Sequence, residues 1–132
     1  MRALGIIVAV PLIGLGLATS SARAAPAAAM PYHATLSATE EKPPGPAGGT
    51  GTAKVTINGT ELCYDLTWSK EVVSPNAAHS HKGPKGTDGP ILVVLSPTTT
   101  HTCTSVAGPI AQGIAADPNG YYLNIHDGAH PG

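Results

Sequence analysis

The sequence is 132 residues long, 42% hydrophobic and 11% charged, with a formal charge of −1 and no Phe. The charged fraction is less than half the ~25% of ordinary soluble domains, which excludes a charge-rich disordered tail, a coiled coil and a basic nucleic-acid binder. Sixteen Gly and 13 Pro interrupt long helices, and the length admits one domain.

Taken from the start, Met1-Arg2 is positive, Ala3–Ala18 is apolar, and Ala22-Arg23-Ala24 fits a small-residue cleavage site. Residues 1–24 are therefore expected to be a secretory signal peptide, and the product to be secreted or extracytoplasmic. The apolar run is shorter than the ~20 residues a spanning helix needs, so no stable membrane insertion is expected after cleavage. From Ala25 the chain has 108 residues, with five Lys against eight acidic residues and a formal charge of −3. Both arginines, Arg2 and Arg23, leave with the leader. A domain without Arg has no bidentate clamp for phosphate, which again argues against nucleic acid as a partner.

Residues 25–31 read as a flexible Ala/Pro linker, followed by one domain over residues 32–132. Tyr32–Ala38 alternates as a strand does, and the Pro-rich stretch Thr39–Gly49 reads as a loop. Gly51–Ile57 and Glu61–Trp68 alternate on either side of Asn58-Gly59, which predicts a hairpin closed by a type I′ turn. Val72-Val73 could extend that pairing, and Ala77–His81 reads as a short strand. After the Lys82–Gly89 loop, the continuous apolar run Pro90–Leu95 predicts a buried strand. Ser96–Thr104 reads as a loop carrying Cys103. In Val106–Ala116, Ile110 and Ile114 suit a helical turn while Gly108, Pro109 and Gly113 disfavour a long helix. Asp117–Gly120 is a turn, and Tyr121–His126 alternates again. Short strands separated by frequent turns point to an all-β sandwich or barrel of antiparallel strands.

Cys63 and Cys103 are the two cysteines, and in an oxidising compartment such a pair is usually a disulfide, the alternative being two free thiols or metal ligands. All six histidines follow the leader: His33, His79, His81, His101, His126 and His130. His79 and His81 are spaced i, i+2, so in a strand both rings leave the same face. Two imidazoles on one strand face are a common start for a copper or zinc site, with His126 as third ligand and His130 or His33 as additions. Asp88 and Asp127 could add an oxygen. The competing reading is that His79 and His81 hydrogen-bond backbone and brace the Lys82–Gly89 loop. No G-x-S-x-G elbow is present, and the adjacent Glu40 and Glu41 read as a solvated turn rather than an acid/base pair.

Four ordered segments, YHATLSATEEKPP, GTGTAKVTINGTELCYDLTW, AAHSHKGPKGTDGPILVVL and YYLNIHDGAHPG, resemble the CHRD (chordin-type) domain family. The resemblance implies an immunoglobulin-like β-barrel with limited similarity to Cu/Zn superoxide dismutases. It also implies a non-enzymatic binding or structural module with an extracellular protein or ligand as partner. In the dismutase comparison His79-x-His81 is similar to the copper pair, but the active-site Arg has no counterpart, so metal binding alone is the alternative expectation. The family pattern continues beyond Pro-Gly into G-E-I-R-G-Q-L, whereas this sequence stops at Gly132. Without that strand an unpaired sheet edge is expected, open to homodimer formation.

Overall fold

The computed structural model describes residues 31–131, so the expected signal peptide and nearly all of the linker lie outside the described residues. Seven strands and one helix follow in order: β1 (Tyr32–Ser37), β2 (Thr50–Asn58), β3 (Glu61–Trp68), β4 (Ala77–Lys82), β5 (Ile91–Leu95), β6 (Thr102–Ser105), α1 (Gly108–Ala116) and β7 (Tyr121–His126). They form two antiparallel sheets, ordered β1-β2-β3-β6 and β5-β4-β7. The expected all-β antiparallel sandwich is therefore present.

Strand alternation builds the core. Ala53 and Val55 of β2 and Leu62, Tyr64 and Leu66 of β3 face Ala78 of β4 and Val93 and Leu95 of β5, all buried. The intervening residues point outward. Tyr64 is 1% exposed, and its hydroxyl accepts the Ser96 N–H at 2.8 Å, satisfying the phenol where the chain crosses between sheets.

Five local expectations are changed or settled. The β2–β3 hairpin pairs Asn58 with Glu61, so its two-residue loop is Gly59-Thr60 rather than Asn58-Gly59. Gly59 has φ +61, and neither Asn58 nor Thr60 has positive φ. That is the type II′ pattern, glycine at the first central position, and not type I′. The run ending at Leu95 is an edge strand with half its face in solvent: Ile91 and Val94 are 51% and 72% exposed. Its continuous hydrophobicity concealed an ordinary alternation. Cys103 lies in a strand, not a loop, because β6 pairs with β3. Residues 108–116 do form a helix: Gly108 and Pro109 sit in its first turn, where a missing N–H costs nothing, and Ala111 and Ile114 are buried. Val72-Val73 belongs to the connection after β3, and Val73 is 66% exposed.

Cys63 stands directly opposite Cys103 across β3 and β6, and the two form the expected disulfide. The bond spans 40 residues of sequence, which corresponds to about 4 kcal/mol of lost denatured-chain entropy. The Cys63→Ser/Cys103→Ser variant is expected to lose stability of that order, read as a lower urea midpoint. An unchanged midpoint would contradict it.

Candidate functional site

β4 is the central strand of the three-stranded sheet, and its alternation divides chemistry from core. Ala78 and Ser80 point inward, while His79 and His81 leave the opposite face. β7 supplies matching outward residues: Tyr122 pairs with His81, Asn124 with His79, and His126 with Ala77. His79 thus lies between the other two rings, 5.8 Å from His81 and 5.3 Å from His126 between centroids.

His81 is buried and held on every side. Its Nδ1–H donates to the Gly89 carbonyl at 2.8 Å, and its ring stacks on Tyr122 at 4.7 Å. Its Nε2 faces the Asn124 side-chain amide at 3.2 Å. That amide donates to a neutral ring and accepts from a protonated one. The Tyr122 hydroxyl in turn accepts the Gly89 N–H at 3.0 Å. The bracing reading therefore holds for His81: it pins the end of the Lys82–Gly89 loop. Gly89 must be glycine, because a Cβ there would collide with the Lys82 carbonyl oxygen.

His79 has the opposite character. Its Nδ1 is buried without a hydrogen-bond partner. Burial, then the neighbouring His126 and His81, lower its pKa from 6.5. Burial also lowers that of His126, against the contact its ring makes with the His130 backbone. Both rings are thus neutral at pH 7 and carry a free lone pair or an uncharged N–H.

The other expected participants line the same cavity but are otherwise engaged or exposed. His130 turns to Asp127, donating from Nδ1 to Oδ1 at 2.8 Å. Asp127 is buried and fully engaged, accepting also from the Ala129, His130 and Val73 N–H groups. The His130 side chain, ahead of these backbone bonds, holds its carboxyl below 3.8. Asp88 is exposed. His33 lies opposite Lys54 on β1, is exposed, and lines the same cavity as the three rings.

Two residues escaped the sequence reading. Asn124 meets His79, His81 and Glu41, so it is the hub of the group. Its place two residues before His126 in an alternating strand was the available signal. Glu41 is half-buried rather than solvated, and burial raises its pKa above 4.5 against the opposing effect of His81. Its neighbour Glu40 is the exposed one, 3.4 Å from Lys85. A cavity of about 1050 Å³ runs along the free edges of β1 and β7 and is lined by Glu41, His79, His81, Asn124 and His126 together with apolar Tyr32, Leu36 and Trp68.

The chemistry of the three imidazoles suits a cation, but their nitrogens are not gathered as a set. Among the described residues, the three metal-type donors that come within 4.8 Å of one another are Cys63, His101 and Cys103. An ion at His79, His81 and His126 would first have to displace Asn124 from His81.

The depressed histidines fix a pH dependence. Below pH 6.5 the unfolded chain takes up protons at His79 and His126 before the folded one does, so stability falls with acid from 6.5 down to the lowered folded values. Urea midpoints are expected to drop between pH 7.5 and 5.5, with a shallower slope in His126→Gln. A midpoint that rises with acid in this window would contradict the assignment.

The family model for the CHRD domain matches residues 32–132. Neither a curated protein nor a solved structure matches the chain. The match takes in both sheets and every residue of the histidine face, and the chain therefore belongs to the CHRD domain family.

Proposed function

We propose that this CHRD-domain chain is a non-enzymatic extracytoplasmic binding module whose binding surface is the outward face of β4 and β7. The observation that carries the proposal is His79 Nδ1, a buried polar atom without a partner beside a large cavity. A buried polar nitrogen left unpaired costs free energy, and a ligand supplying the missing partner recovers it. About 1050 Å³ is ample for a small molecule or a peptide segment, since such sites usually occupy roughly 300–1,000 Å³. Apolar walls and a few convergent polar groups are the usual composition of such sites. The Cys63–Cys103 disulfide and the expected leader support an extracytoplasmic setting.

The test is a fragment screen by amide-resolved NMR on untagged protein. Binders should shift His79, Gly89, Tyr122 and Asn124 together. Asn124→Ala should weaken them by about tenfold, the loss expected for one buried hydrogen bond. Hits scattered over the surface, or none, would overturn the proposal.

A second reading is favoured by the same free nitrogen and by the two neutral rings: copper or zinc binding through His79, His81 and His126. Calorimetric titration of untagged protein with Zn²⁺ and Cu²⁺ should then give one equivalent, lost in His81→Ala. No uptake, with folding unchanged in chelator, removes this reading and leaves the first.

A further inference from the structure

The outward face of the four-stranded sheet carries a separate group of ligating side chains. Cys63 and Asp65 are two residues apart on β3, and His101, immediately before β6, is two residues from Cys103 within it. Cys63 lies opposite Cys103, and continuing that register places Asp65 opposite His101. C-x-D on β3 and the H-x-C that leads into β6 thus form a two-by-two patch on the solvent side.

The contacts within this patch are directional. His101 Nδ1–H donates to Asp65 Oδ1 at 2.9 Å. In the neutral ring that bond leaves Nε2 as the lone-pair nitrogen, and Nε2 lies 3.8 Å from Cys103 Sγ. Metal-binding histidines are commonly held in this way, with a carboxylate fixing the tautomer from the far side of the ring. The two sulfurs and a His101 ring nitrogen all lie within 4.8 Å. While the sulfurs are bonded to each other there is no thiolate to bind a cation.

We propose that reduction of the Cys63–Cys103 disulfide turns this patch into a two-cysteine, one-histidine site for a thiophilic d¹⁰ cation, zinc(II) or copper(I), with Asp65 holding the imidazole. The reductant is a dithiol. Its first thiolate attacks one sulfur, forming a mixed disulfide and releasing the other as a thiolate. Its second thiolate then closes the reductant's own disulfide and releases the remaining sulfur. Two electrons pass to the protein, and the two freed thiolates take up the two protons that the dithiol gives up. Cation binding then releases those protons from the thiols to solvent. Cys103 is exposed and the His101 side chain is 58% exposed, so reductant and ion both have access. Three protein ligands leave a fourth tetrahedral position for water. Neither cysteine belongs to the buried core cluster, so opening the bond removes no core contact.

The alternative is that His101 and Asp65 are an ordinary surface pair, which contributes little. Titration of untagged protein with Co²⁺ separates the two. The disulfide is opened with a phosphine, which brings no thiol of its own, and folding is followed by circular dichroism. The reduced protein should bind one Co²⁺ with thiolate-to-cobalt charge-transfer absorption, which histidines alone do not give, and Zn²⁺ should displace it. The oxidised protein should show no such band. His101→Ala should weaken binding by about tenfold or more, and Asp65→Asn by about 10–100-fold. Three results would overturn the proposal: no thiolate band in the reduced protein, equal affinity in wild type and both variants, or a reduced chain that stays unfolded in excess Zn²⁺.

Discussion

The pairing of β4 with β7 is the constraint from which the site follows. Its register sets His79 against Asn124 and His81 against Tyr122, and the same register sends Ala78, Ser80, Leu123 and Ile125 to the other face. A slip of one residue would exchange the two sets, placing imidazoles in the core and Ala78 in solvent. The buried face therefore enforces the polar one: Ala78, at 0% exposure, cannot leave the core without destroying the packing of Val93 and Leu95 around it. The histidines are aligned by a hydrophobic requirement that they do not themselves meet.

Within this frame the site is divided between a satisfied and an unsatisfied imidazole. His81 has a partner on each nitrogen and an aromatic ring beneath it. His79, its neighbour on the strand, has a nitrogen with none. The first ring fixes the loop that borders the cavity, and the second is available to whatever enters. Glu41 adds a half-buried carboxyl whose charged form is disfavoured by burial and favoured by the nearby His81.

Much of this was legible from residue spacing. Glu61–Trp68 and Tyr121–His126 alternate cleanly, and both strands have the predicted bounds. The i, i+2 spacing of His79 and His81 placed them on one face. What was not legible depended on partners remote in sequence. β6 is only four residues long, and it is a strand because β3 lies beside it. Glu41 is half-buried because its loop meets Asn124, 83 positions away. The helix at residues 108–116 exists because Ala111 and Ile114 find the core, which outweighs an interior Gly113. The hairpin turn moved by one residue because Asn58 and Glu61 complete the ladder, leaving Gly59 alone to supply positive φ.

The disulfide also has a topological meaning. It closes a covalent ring from Cys63 to Cys103 that contains all of β4 and β5 and the solvent-facing Lys82–Gly89 loop, while β7 lies outside it. A single cut in that loop opens the ring into two chains joined by one crossbridge. It does not release a fragment, and each half keeps its strand of the β4–β5 hairpin within reach of the other. The exposed loop beside the histidine face thus lies within the stretch where backbone cleavage leaves both pieces covalently joined.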